Sequence, residues 1–146
     1  MSRLTETKRA YKTVVSILDQ ETRKRKSNAK ELESFRDIVD IAFYILAFGQ
    51  FEYLVKREAK DLIEGLARQK TLDGRAWKVL EQRGDMPLRK MLEIIYHGKP
   101  EFIKSLNESY DIRNDSVHGN KSLPKEAKDV EIFIQGLVDL ADDLDR

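Results

Sequence analysis

The chain is predicted to be all-α, a compact antiparallel bundle of about four main helices with short helices inserted between them. Three observations point there. Proline occurs three times and glycine seven times in 146 residues, so helix breakers are sparse and fall between long stretches of good helix formers. Apolar residues recur at spacings of three, four and seven, the signature of a helix with one buried face, and no segment reads as a strand meander. The length suits one continuous core, so residues 1–146 are expected to form a single helical domain.

Each element follows from local signals. A first helix is expected from about Leu4 to Lys24, with Leu4, Tyr11, Val14, Val15 and Leu18 on its inner stripe. Ser27 and Asn28 offer a turn and a cap. From Lys30 to Lys70 the helical pattern runs on beyond a comfortable single-domain helix, so a kink or break is expected near Gly49 or Gly65. Its middle, Ile38 to Val55, is apolar on nearly every face and should be the central element, with Tyr44, Phe48, Phe51 and Tyr53 in the core. Asp73 and Gly74 open a shorter helix through Trp77 and Leu80. Gly84-Asp85 ends it, and Pro87 starts another carrying Leu88, Met91, Leu92, Ile94 and Ile95. Beyond Gly98-Lys99, Pro100 begins a helix with Ile103, Leu106 and Tyr110 inward, leading into Ile112–Gly119. Gly119 to Leu123 reads as a loop. The closing helix, from Pro124, presents Val130, Phe133, Ile134, Leu137, Leu140, Ala141 and Leu144 on one stripe.

Composition narrows the function classes. With no cysteine there is no disulfide framework and no thiolate metal site, which fits a reducing cytoplasm. The start of the chain lacks an apolar stretch of signal-peptide length. The longest unbroken apolar run, Ile41 to Phe48, is far short of the roughly 20 residues that cross a bilayer. A cytoplasmic protein without membrane contact is expected. His97 and His118 are 21 residues apart with no repeated metal-ligand spacing, and no glycine-rich phosphate loop is present, so neither a metal nor a cofactor is expected.

Net charge is +1, yet its distribution is uneven. Residues 1–30 hold 9 Lys/Arg against 3 Asp/Glu, while the stretch from Pro124 holds 3 against 7. The basic end is suited to a polyanion such as RNA. Alternatively, Arg23-Lys24-Arg25-Lys26 is a solvated helix end whose cations complement the helix dipole.

The segment with most chemistry is Ile112-Arg113-Asn114-Asp115-Ser116-Val117-His118-Gly119. An arginine can grip a phosphate through two parallel hydrogen bonds, and a histidine titrates near neutral pH and can move a proton. If the inner stripe continues past Tyr110, Arg113 or Asn114 faces the protein, and a cation there needs an acid, water or a bound anion. Five residues of ideal helix turn about 500°, which would set Arg113 and His118 roughly 140° apart. Gly119 therefore suggests that the helix frays or tightens near His118, letting the imidazole swing toward the arginine. The bland alternative for the same residues is a structural salt bridge and a helix-terminal histidine.

Arg113, Asn114 and His118, with four residues between arginine and histidine and a polar residue directly after the arginine, resemble the motif of the HEPN superfamily (higher eukaryotes and prokaryotes nucleotide-binding domains). The aromatic-rich segment Phe43-Tyr44-Ile45-Leu46-Ala47-Phe48-Gly49-Gln50-Phe51-Glu52 likewise looks like the central helix of HEPN proteins near the RiboL-PSP-associated branch. The resemblance implies metal-independent endoribonuclease cleavage, in which the 2′-hydroxyl of RNA is the nucleophile. His118 would move protons, Arg113 would stabilise charge on the phosphate oxygens, and Asn114 would orient the pair. It also implies a homodimer with a composite cleft, and a toxin or defence effector checked by an antitoxin protein. Glu52, or Asp40, on the central segment would hold Arg113. Some HEPN toxins carry a tyrosine two positions after the histidine, where a partner modifies it; Asn120 stands there in this chain, so control by that route is not implied. The competing expectation is a non-catalytic helical module that binds a protein or nucleotide, with Arg113 anchoring the last helix.

Overall fold

A computed structural model describes residues 3–24, 26–118 and 122–144, all but the side chain of Lys26 in full. They are all-α, with six α-helices and no strand among the described residues: α1 (Arg3–Lys24), α2 (Ala29–Ala67), α3 (Leu72–Gln82), α4 (Leu88–Ile95), α5 (Pro100–His118) and α6 (Val130–Leu144). Short 3₁₀ turns at Lys26–Asn28 and Lys125–Ala127 lead into α2 and precede α6. The described residues divide into two compact units, one holding those up to Phe51 and those from Ser109 onward, the other Glu52–Glu108.

The first unit combines α1, the first part of α2, the end of α5, and α6. Along α1 the partners on α2 run in reverse order. The Thr7 hydroxyl donates to Gln50 Oε1 at 2.7 Å, the Tyr11 hydroxyl to Asp40 Oδ1 at 2.7 Å, and Arg36 Nη1 to Asp19 Oδ1 at 3.1 Å. The two helices are therefore antiparallel. Lys8 donates to Gln135 and Lys12 pairs with Glu131 at 3.6 Å, so α6 is antiparallel to α1 as well. Between them lies an aromatic core. Tyr44 stacks on Phe133 with centroids 3.9 Å apart, Tyr11 meets Phe43 edge-on at 5.4 Å, and Leu4, Ala47, Phe48, Phe51, Val130, Ile134, Leu137 and Ala141 are buried around these contacts. Burying each large side chain contributes about 1.5–3 kcal/mol, so this core dominates the unit's stability.

The second unit takes the rest of α2, then α3, α4 and the start of α5. Val55, Ala59 and Ile63 recur every four residues and are buried, as are Leu88, Leu92, Tyr96 and Leu106. Thr71 caps α3 by accepting from the Gly74 amide at 3.0 Å. Gly84 and Gly98 have φ of 81° and 79°, a left-handed backbone that ends α3 and α4 at little steric cost.

Four expectations from sequence need correcting. α2 is one unbroken helix of 39 residues through both Gly49 and Gly65. Neither glycine is crowded, and its modest helix penalty is outweighed by burial on either side. Its apolar content is also greater than the longest unbroken run implied. An 18-residue window of mean hydropathy 1.6 makes α2 long and apolar enough to cross a membrane by length and composition; Tyr44, Phe48 and Phe51 are buried in the core, but only 28% of the window is. Tyr53 is 66% exposed, because two residues beyond Phe51 the helix has turned about 200°. The closing helix begins at Val130 instead of Pro124, with Asp129 Oδ1 accepting from the Ile132 amide at 3.1 Å in the manner of an N-cap.

On α2, Phe35, Ile38 and Leu46 form an exposed apolar line at helical spacing, with Ala42 between them.

Candidate active site

Arg113, Asn114 and His118 lie on the last turns of α5, within the first unit. That end of α5 is fastened to the aromatic core. The Tyr44 hydroxyl donates to the Ser109 carbonyl at 3.4 Å, and burial raises the Tyr44 phenol above its ordinary pKa against a smaller opposing effect of the Ser109 side chain. Tyr110 stacks against Phe48 at 5.9 Å. One turn later the Arg113 guanidinium carbon sits 5.7 Å from the Tyr110 ring centroid, within cation–π range. Arg113 Nη1 donates to Asn114 Oδ1 at 2.8 Å, and Nε is shielded from solvent. A continuous chain of contacts thus runs from Phe48 through Tyr110 to Arg113 and Asn114. Both motif side chains are half-buried and held.

His118 is exposed and is the last helical residue of α5. The helix is regular up to His118, and Gly119, on which the expected fraying rested, lies outside the described residues. No glycine or proline interrupts the helix after Pro100, and Ser116 Oγ donates back to the Ile112 carbonyl at 2.8 Å within the same turn. On a regular helix Arg113 and His118 are separated by roughly 140° around the axis and about 7.5 Å along it. Asn114, four residues before His118, is the motif member on its face. The fold of one chain therefore brings Arg113 and Asn114 together, with His118 exposed one turn beyond Asn114. Gly119 and Asn120 lie outside the described residues.

Of the two acids named for Arg113, Asp40 is engaged by residues of α1 and α2. Glu52 is half-buried in the second unit and pairs with Lys56 at 3.5 Å. Asp40 accepts from the Tyr11 hydroxyl and, at 3.2 Å, from Arg36 Nε. Around it a network joins α1 to α2: Arg36 Nη2 reaches the Tyr11 hydroxyl at 3.4 Å while Nη1 holds Asp19. Burial and the Asp40 bond push the Tyr11 phenol up to about 12. Burial disfavours the Arg36 charge, but its bonds to Tyr11 and Asp40 more than offset this, and its pKa is raised. Sequence reasoning missed this network and the Tyr110 shelf, although spacings of four (Arg36, Asp40) and three (Tyr110, Arg113) mark both pairs as helix-surface neighbours. His97 is exposed in the turn after α4. Among the described residues no group of three His, Asp or Glu is placed to hold a metal ion.

Compared with known proteins, the chain matches no family model, no curated protein and no solved structure.

Proposed function

We propose that the protein is a metal-independent endoribonuclease of HEPN type whose active site is completed by two copies of the chain. The observation that carries this reading is the pairing of a half-buried, core-anchored arginine with an exposed histidine on the end of the same helix. Arg113 is pre-oriented by Tyr110 and Asn114, so little rotamer freedom is lost when it takes a phosphate. His118 is open to solvent and to a partner. On a regular helix the two positions leave α5 about 140° apart, which favours a site completed by a second copy. A twofold-related copy supplies the missing histidine, and such symmetry doubles a sparse set of groups. The apolar line of Phe35, Ile38 and Leu46 is a surface such a second copy would cover.

In the cleft one His118 takes the proton of the 2′-hydroxyl, whose oxygen attacks phosphorus. The bond from phosphorus to the 5′-oxygen breaks, and that oxygen leaves with a proton from water, so one histidine serves each cleft. The products are a 2′,3′-cyclic phosphate and a 5′-hydroxyl end. Arg113 stabilises charge gathering on the non-bridging oxygens, and Asn114 fixes its fork. Proton transfer of this kind contributes about 10²–10⁴ in rate. Such an activity suits a toxin or defence effector held in check by an antitoxin protein.

The contact of Arg113 with Tyr110 also favours a second reading, a non-catalytic helical module in which the guanidinium only secures α5. Purified protein is incubated with labelled RNA and a chelator. On the catalytic reading Arg113→Ala and His118→Ala each reduce cleavage at least about 100-fold with the fold and dimer intact. On the scaffold reading no cleavage is seen, Arg113→Ala lowers the Tm, and His118→Ala changes nothing.

A further inference from the structure

Within the first unit, a groove of about 710 Å³ opens between α1, the start of α2 and the 3₁₀ turn before α6. Its lining includes the cations Lys12, Arg23, Arg36, Lys125 and Lys128 and the acids Asp19, Asp129 and Glu131. Each acid is already engaged. Arg36 holds Asp19, Lys12 pairs with Glu131, and Asp129 caps α6. Arg23, Lys125 and Lys128 remain exposed with no ion pair among the described residues. We propose that this groove is a landing site for the phosphate backbone of single-stranded RNA, with Arg23, Lys125 and Lys128 as its phosphate contacts.

The juxtaposition is tertiary: Arg23 ends α1, while the two lysines come from a segment about a hundred residues later that the fold lays beside it. The dipole of α1 accounts for a cation at position 23 but not for Lys125 or Lys128. Beneath them the Tyr11–Asp40–Arg36–Asp19 network holds the wall rigid. Val15 is the one aliphatic residue in the lining, so an acidic peptide finds no anchor for its apolar side chains, and no exposed aromatic is present to stack a base. Backbone phosphate, read without regard to sequence, is the ligand that matches. A larger groove in the second unit is also basic, through Arg68, Lys70, Arg75 and Lys78, with Glu64 and Glu81 in its lining, and is the comparison site for the test.

This inference deepens the ribonuclease reading, and its test is independent of cleavage. A fluorescent single-stranded 2′-O-methyl RNA, whose nucleophile is blocked, is titrated with the full chain by anisotropy between 50 and 200 mM salt. Removing three phosphate contacts by Arg23→Ala, Lys125→Ala and Lys128→Ala together should flatten the slope of log K against log salt by about 2. Circular dichroism should show the fold of this variant unchanged, since all three side chains are exposed. Arg75→Ala with Lys78→Ala, in the second groove, should leave the slope as it is. Absence of binding by the parent protein, an unchanged slope in the triple variant, loss of slope in the Arg75/Lys78 variant instead, or equal binding of a poly-glutamate peptide each overturns the assignment. Binding with the predicted slopes but no cleavage of ordinary RNA sustains the groove and defeats the ribonuclease reading. Cleavage with an insensitive slope does the reverse.

Discussion

Tyr11 shows how one side chain sets a pH limit. Its phenol is pushed up to about 12 by burial and by the Asp40 carboxylate, so the folded state prefers the neutral form more than the unfolded chain does. The unfolded phenol ionises near its ordinary value of about 10, and above that pH the unfolded state binds fewer protons than the folded one. The stability Tyr11 contributes is thus complete below about pH 10 and is lost as pH rises toward the folded value. Urea unfolding at pH 8 and pH 11 should show the parent protein losing more stability across that interval than Tyr11→Phe. At pH 8 the variant should be weaker by about 1.5–3 kcal/mol, the worth of a hydrogen bond to a charged partner. Equal losses for both proteins would remove Tyr11 from the account.

Arg113 and His118 were identifiable in the sequence as residues, but their relation in space was not. Their spacing gave the 140° divergence on an ideal helix; whether the helix stays regular to its end depends on local bonds such as that from Ser116 to Ile112. Asp40 was visible as an acid on the central helix, yet its engagement by Tyr11 depends on how α1 packs. The meeting of Arg23 with Lys125 and Lys128 had no sequence signal, because a charge run predicts solvation equally well wherever the fold sets it.

Among the elements, the helix starts at Pro100 and the stripe of α6 were legible because proline and a 3.6-residue period act locally. The expected break in α2 was not found, since glycine in a helix only weakens a preference that flanking apolar residues restore. Gly49 has open space where a Cβ would go, so Gly49→Ala should stabilise the protein by about 0.5–1 kcal/mol in chemical denaturation. Gly74 is the contrast. A Cβ there would stand 1.9 Å from the Gln69 carbonyl oxygen, where backbone must shift, and Gly74→Ala should destabilise by about 1–3 kcal/mol. Destabilisation at Gly49 or tolerance at Gly74 would mean that the turn before α3 and the path of α2 are misassigned.

At the scale of the molecule, the all-α class followed from composition and periodicity, while the division into two units with α2 shared between them did not. A helix of 39 residues supplies apolar faces to both units, so its continuous pattern conceals where one ends and the other begins. The proposed activity likewise belongs to more than one chain, because positions 113 and 118 of a regular helix face about 140° apart. Mixing two inactive proteins tests this directly. Arg113→Ala and His118→Ala are combined, allowed to exchange subunits, and assayed on RNA with a chelator present. A cleft built from the arginine of one copy and the histidine of its twofold mate is restored once in every mixed dimer, so the mixture should recover about a quarter of the parent activity. If the parent protein cleaves RNA and the mixture stays inactive after exchange, the two groups act within one chain and the composite site is wrong.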